Sequence, residues 1–199
     1  MIPQHGVADT IMTIRPLGPA DAPAYRAQRV RALRDHPEAF GRTPEEVDAV
    51  EAWAEHFRAD ADSDVDFVLG AFDGDTLVGV AGCHRQRLVK HRHTAYIWGM
   101  YVAPEHRGTG LGRRLFVAAV ARARTWPDLD SLWLDVTTTN HGARALYASC
   151  GFRTVGIKPR TLKVGDYYYY YYYYDDDDDE ELMVLDIGGR APERTAGSA

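Results

Sequence analysis

Apolar positions follow two different spacings along this chain, and the change of spacing divides it. In the first third they recur every three to four residues, the period of a helix with one buried face. Ala22–Asp35 carries Tyr25, Val30 and Leu33 among several arginines. Asp21 stands in the N-cap position, and Pro23 falls in the first turn, where it removes no helical hydrogen bond. Pro37 stops this helix. Thr43-Pro44-Glu45-Glu46 then reads as a second helix start, with Thr43 and Glu46 forming a capping box. Val47, Val50, Trp53, Ala54 and Phe57 form its core-facing stripe. Ahead of both helices, Thr13–Pro16 predicts a short strand ended by proline, and Met1–Met12 a flexible leader.

From Asp66 onward the pattern becomes that of strands. Phe67–Phe72 and Thr76–His84 flank the turn Asp73-Gly74-Asp75, which predicts a hairpin. Thr94–Val102 is a third strand, rich in β-branched and aromatic residues. Gly110–Arg124 is helical, with Leu111, Leu115, Phe116, Ala119 and Val120 on one face. Ser131–Val136 predicts a strand, Ala143–Ser149 a short helix, Phe152–Val164 a strand region, and Leu182–Ile187 a closing strand. The order describes one mixed α/β domain over residues 13–187, its first half mainly antiparallel, with a flexible tail over 188–199.

One stretch fits neither period. Tyr167–Tyr174 is an unbroken tyrosine run, followed by Asp175–Asp179. A homopolymer specifies no strand register, and the aspartates repel one another. Residues 167–179 therefore read as a low-complexity insert in a loop between the last two strands. This stretch also distorts the charge. The net charge is −6, yet Asp175–Asp179 with Glu180 and Glu181 supply seven negative charges; without them, 22 acidic residues face 23 basic ones. The acidity is local and says little about partners.

Composition narrows the function classes further. With 45% hydrophobic and 26% charged residues, the chain reads as an ordinary soluble domain. No apolar run approaches the ~18 residues of a membrane span, and the N-terminus lacks the form of a secretory signal, so a cytoplasmic location is expected. No dense basic stripe interleaved with aromatics points to nucleic acid. Cys83 and Cys150 are widely spaced and read as two small buried residues rather than a disulfide or zinc site. The histidines show no ligand spacing, and no metal is expected.

The chemistry concentrates between the third strand and the helix after it. Tyr101-Val-Ala-Pro-Glu-His-Arg-Gly-Thr-Gly-Leu-Gly-Arg113 places Gly108, Gly110 and Gly112 at a helix start. Glycines let the backbone approach a ligand closely. Amides of Gly108, Thr109, Gly110, Leu111, Gly112 and Arg113 at the positive end of a helix suit a phosphate, with Arg107 and Arg113 as cationic partners. A Walker A loop needs Lys-Ser/Thr after its last glycine, whereas Arg113-Arg114 follow here. A dinucleotide loop would come after the first strand.

Arg107-x-x-Gly110-x-Gly112 resembles the pyrophosphate-binding signature of the GNAT superfamily of acyl-CoA-dependent N-acyltransferases. Asn140-His-Gly-Ala143-Arg-Ala-Leu-Tyr147-Ala-Ser-Cys-Gly151-Phe152 resembles the second motif of that superfamily. The likeness covers Asp66–Phe152. It implies a GNAT fold, a mixed and splayed β-sheet flanked by helices on both faces. It also implies acetyl-CoA as co-substrate and a primary amine, on a small molecule or a protein N-terminus, as acceptor. By similarity, backbone groups of Met100, Tyr101 and Val102 would pair with the pantetheine arm. Asn140 would bond that arm or fix the following helix, and Tyr147 would be the acid for the leaving thiolate.

For the general base, strand alternation sets Asp135 and Trp133 opposite Leu132, Leu134 and Val136, and Asp135 is the first candidate. Some protein N-terminal acetyltransferases resembling this sequence carry a glutamate there. Glu105 is the second candidate, with Tyr101 and His84 as further options. Trp53, Phe57 and Trp98 read either as core or as acceptor-site walls. The basic cluster Arg85, Arg87, Lys90, His91, Arg92 and His93 reads either as a solvated hairpin or as a contact to acceptor or nucleotide. A non-catalytic acyl-CoA-binding module and an unrelated nucleotide-binding protein are the competing functions. A monomer or homodimer is expected.

Overall fold

The computed structural model describes residues 12–59, 63–162 and 179–188. The leader through residue 11, the tyrosine run with Asp175–Asp178, and the tail from residue 189 lie outside the described residues.

Strand β1 (Met12–Pro16) leads through a turn into α1 (Ala22–Asp35), and α2 (Val50–Ala59) follows. Next come β2 (Asp66–Asp73), β3 (Thr76–Arg85), β4 (Thr94–Val102), α3 (Leu111–Ala123), β5 (Ser131–Thr137), α4 (His141–Ser149), β6 (Arg153–Lys158) and β7 (Glu180–Asp186). One seven-stranded sheet results, in the order β1-β2-β3-β4-β5-β7-β6. Every neighbouring pair is antiparallel except β4 with β5.

Several boundaries differ from the sequence reading for identifiable reasons. Asp21 does not cap α1. Its carboxylate turns back to accept from the Gly18 amide at 2.8 Å and from Arg15, closing the 3-10 turn Pro19–Asp21. The Thr43–Glu46 signal likewise forms a 3-10 turn, with Glu46 accepting from the Thr43 amide at 2.7 Å, and α2 begins only at Val50. Val47 is still buried beside that turn. Met12, read as leader, pairs with Asp73 in β1. Strand β7 starts at Glu180, two residues earlier than its apolar run, because Glu181 is buried. Cys83 is buried as expected, whereas Cys150 is only half-buried.

Two cores lie on opposite faces of the sheet. Helices α3 and α4 cover one, where Leu111, Leu115, Phe116 and Ala119 meet Ile97, Leu132 and Leu134. Helix α1, α2 and their turns cover the other, where Tyr25 and Phe57 meet Val68, Val80 and Tyr101. Each of these large side chains contributes about 2–3 kcal/mol by leaving water.

Strand β4 serves both cores through an irregularity. Val80 pairs with Tyr101 and Gly82 with Trp98, so β4 spends two residues where β3 spends one. The extra residue is taken up at Gly99, whose φ of +66° is the left-handed region. Side-chain alternation therefore flips. Ala95 and Ile97 face α3 before the bulge, and Met100 and Val102 face it afterwards.

Candidate active site

Strands β4 and β5 pair only from Thr94–Tyr96 to Ser131–Trp133. Beyond that point they separate, leaving the edge of β4 from Ile97 to Val102 open toward β5. A cleft of about 640 Å³ occupies the gap. Its walls are the bulged half of β4, Leu134–Thr137 of β5, the Arg107–Gly112 turn, the first half of α4 and the segment from His36 to Phe40. An unpaired strand edge presents free amides and carbonyls, which an extended amide-bearing ligand can use as an added strand.

The glycine loop adopts the conformation its composition suits. Gly108 and Gly110 have φ of +75° and +81°, and Gly110 is the N-cap of α3. A side chain at either position would be strained. The first-turn amides of α3 have no intrahelical acceptor, so they remain available at the positive end of the helix. Gly108 and Gly112 line the cleft.

Arg107 is more committed than its sequence suggests. Its Nε donates to the Val102 carbonyl at 2.9 Å, and one amino group donates to His36 Nε2 at 3.0 Å. His36 Nδ1 in turn faces Glu38 Oε1 at 3.1 Å, which assigns the ring proton to Nδ1. The guanidinium thus joins the loop, β4 and the His36–Phe40 wall while lining the cleft. Arg113 is not brought to the cleft: it is exposed and donates to Ser149 Oγ at the end of α4, at 2.6 Å. Thr109 closes its own turn by donating to the His106 carbonyl at 2.8 Å, and Leu111 is buried in the core.

On the opposite wall, Asn140 caps α4, its Oδ1 accepting from the Ala143 amide at 3.1 Å. Two turns later comes Tyr147, buried against Phe116 with ring centroids 4.7 Å apart. Its side chain lines the cleft, and its hydroxyl forms no hydrogen bond among the described residues. Burial pushes the phenol well above its ordinary range, so it stays protonated. Helix α4 is held in place by Arg144, which bonds the buried Glu181 carboxylate and the Thr138 carbonyl, the latter at 3.0 Å. Thr154 donates to the other Glu181 oxygen. Sequence reasoning missed this pair, because Glu181 looks like one more residue of the acidic run.

The base candidates separate clearly. Asp135 lines the cleft on β5, with Lys158 Nζ 2.7 Å from its Oδ1. Glu180, diagonal to it on β7, is pushed up by burial and then by Asp135, and held down in part by Lys158. Glu105 is not brought to the cleft. It is exposed and bidentate with Arg31 at 2.8 and 2.9 Å, and that contact holds it down to about 2. Tyr101 lines the cleft but donates to Asp35 Oδ2 at 2.9 Å, and burial followed by that bond pushes it up to about 12. His84 lies outside the cleft, stacked on Tyr96 at 5.7 Å, and Tyr96 in turn stacks on Trp133 at 6.5 Å. Of the basic cluster, Arg85 is buried, bonding the Arg92 and Pro127 carbonyls as a structural tie. Among the described residues, no group of three His, Cys, Asp or Glu is arranged to hold a metal, and no helix is long and apolar enough to cross a membrane.

The description "Acetyltransferase (GNAT) family" belongs to the protein-family model that matches residues 27–152. The chain belongs to the GNAT acetyltransferase family. Members of this family are acetyltransferases that draw on acetyl-CoA, so the resemblance carried by Arg107–Gly112 and Asn140–Phe152 holds for the fold as a whole. The GNAT chain is 38% identical over 97 residues to the N-alpha-acetyltransferase RimI of Mycobacterium tuberculosis, covering 48% of this chain and 58% of that protein. It is 35% identical over 136 residues to a mycothiol acetyltransferase of Thermobispora bispora, covering 66% of this chain and 43% of the relative. This GNAT chain spans 24% to 58% of the length of the curated relatives it matches. The fold is similar to that of a GNAT-family acetyltransferase from Streptococcus pneumoniae, with TM-score 0.78 and 22% identity over 89% of this chain and all of that one. It is also similar to yncA of Salmonella typhimurium, a putative acetyltransferase solved with acetyl-CoA, with TM-score 0.74 and 22% identity over 90% and 96% of the two chains.

Proposed function

We propose that this chain moves an acetyl group from acetyl-CoA to a primary amine by direct attack. The observation that carries the reading is the convergence in one cleft of the open β4 edge, the glycine loop at the start of α3, and the Tyr147 hydroxyl. The residues present suit the donor. First-turn amides of α3 with Arg107 would hold its pyrophosphate, and the β4 edge and Asn140 its amide-bearing arm. When bound, acetyl-CoA supplies a thioester whose acyl carbon accepts the amine and whose sulfur leaves.

The protein's own groups then divide the remaining tasks. The bulge at Gly99 leaves β4 backbone outside the ladder, where an amide can stabilise developing negative charge on the carbonyl oxygen. Tyr147 Oη holds a proton, kept there by burial, for the departing sulfur. Asp135 takes the proton lost by the attacking nitrogen, directly or through one water. The acceptor is an amine of a small molecule or a protein N-terminus, the latter in keeping with the name of the Mycobacterium tuberculosis relative. The expected location is cytoplasmic.

Calorimetric titration with acetyl-CoA tests the donor half. Saturable binding is expected, with Arg107→Ala weakening it by about tenfold or more through lost charge-assisted contacts. A folded protein that takes up no acetyl-CoA would remove the assignment. Binding without turnover of any amine would leave an acyl-CoA-binding module.

A further inference from the structure

A second pocket, of about 690 Å³, opens between α1, α2 and the sheet, and it shares Trp98 with the acetyl-CoA cleft. Arg29 lines it from α1. This side chain is only 9% exposed, and no carboxylate pairs with it among the described residues. Its guanidinium stacks on Phe40 at 4.7 Å, and its Nη1 is sealed with no acceptor. That nitrogen lies against the β4 bulge, 3.5 Å from where a Gly99 Cβ would stand. Trp53 and Trp98 line the same pocket, and their buried indole N–H groups have no acceptor among the described residues.

The other charged groups there do not balance Arg29. Asp48 is already matched by Arg42 at 3.4 Å, and His56 lies 4.0 Å from Asp66. His84 is the remaining titratable wall, and burial with Arg87 favours its neutral form. A buried cation with no partner is costly, by several kcal/mol in general, and such charges are normally paired. A guanidinium set in a pocket wall with no carboxylate partner among the described residues has the chemistry of an anion receptor. Its position fixes where the anion sits: one side chain away from the bulge where the acyl carbon is expected.

We infer that the acceptor is an amino-carboxylate, with its carboxylate held by the Arg29 guanidinium and its amine directed past Trp98 into the cleft. This deepens the acetyltransferase reading and rests on it. Free amino acids fit this description, and polyamines do not.

Matched acceptor pairs test the inference: free amino acids against their carboxamides, with spermidine as a carboxylate-free control. In the wild type, kcat/KM is expected to favour the acids by roughly 10- to 100-fold, the worth of a charge-assisted hydrogen bond. Arg29→Gln should abolish that preference, chiefly through KM, while leaving acetyl-CoA affinity unchanged. It should also melt at or above the wild-type temperature, because it removes an unpaired buried charge.

A binding readout accompanies the kinetics. Melting temperature is recorded with acetate, succinate and the amino acids against their amides, at constant ionic strength. Carboxylates should raise it in the wild type and not in Arg29→Gln. Equal treatment of acids and amides by the wild type, or equal shifts in both proteins, including none, overturns the inference. Loss of the acetyl-CoA reading itself would appear separately, as absent calorimetric binding of the donor.

Discussion

Lys158 Nζ lies 2.7 Å from Asp135 Oδ1, so a β6 ammonium sits beside the cleft carboxylate of β5. Glu180 of β7 faces Lys158 across the ladder and Thr137 on its other side, which places two carboxylates around one cation. The Lys158 contact holds the Asp135 carboxylate in place beside the cleft. Asp135→Asn is expected to lower kcat/KM by about tenfold or more, as for loss of a general base, with acetyl-CoA affinity retained. Equal turnover by the variant would move the base elsewhere.

Glu180 gives that cluster a pH signature. Its folded-state affinity for a proton is raised by burial and by Asp135, and Lys158 counters this. A raised carboxylate contributes most stability when protonated and loses it as pH rises through its folded titration. Lys158→Met removes the counter-effect. Relative to the wild type, this variant should lose more stability at about pH 7.5 than at about pH 4, with a difference on the order of 1 kcal/mol. Melting curves at the two pH values check the sign.

Tyr147→Phe separates chemistry from packing. The ring fills a core position against Phe116 and Phe152, but among the described residues the hydroxyl has no hydrogen-bond partner to lose. Stability should therefore be unchanged within about 0.5 kcal/mol, while kcat falls by about 100-fold or more. A further readout lies at high pH. Burial raises Tyr147, Tyr25 and Tyr101, so the unfolded chain releases protons that the native state keeps. Stability should fall above about pH 10, and less steeply in Tyr147→Phe. Urea midpoints across that range measure it.

Arg144→Met tests the tie that places α4. Among the described residues, it would leave the buried Glu181 carboxylate with only the Thr154 hydroxyl. The expected cost is about 2–3 kcal/mol, below that of a fully sealed pair because Arg144 is partly exposed. The double variant Arg144→Met with Glu181→Leu should recover much of the loss in chemical denaturation.

Gly99→Ala asks what the bulge requires. An added Cβ would meet only Arg29, at 3.5 and 3.9 Å, which is ordinary contact. Sterics are thus minor, and the positive φ dominates, at about 1–2 kcal/mol. Acetyl transfer should fall further than stability alone explains, since relaxing the bulge shifts both the cleft edge and Trp98. A variant with wild-type turnover would show the bulge to be incidental.

Much of this was readable in the residues themselves. Helix α1 is bounded as Ala22-Pro23 and Pro37 dictate, and the Asp73-Gly74-Asp75 turn sits between two strands. The alternation of Leu132, Leu134 and Val136 against Trp133 and Asp135 holds in β5 because side-chain direction along a strand is local. The two motifs that carry the family resemblance are likewise contiguous, one in the turn from β4 into α3 and the other along α4 to the start of β6. Period, caps and turns depend on neighbours a few residues away, so the sequence alone determined them.

Tertiary structure decided what depends on distant partners. Arg26, Arg29, Arg31 and Arg34 are alike as text, yet of these only Arg29 is buried, in the position read for Val30. Its spacing of four from both Tyr25 and Leu33 was the one local hint. Glu181 hides in an acidic run until β7 brings it under Arg144. Arg113 and Glu105 stand beside the right motif and point elsewhere, to Ser149 and Arg31. The flip at Gly99 appears only when β3 counts its register against β4. Burial, charge pairing and register are properties of two segments at once, and no single segment of the chain records them.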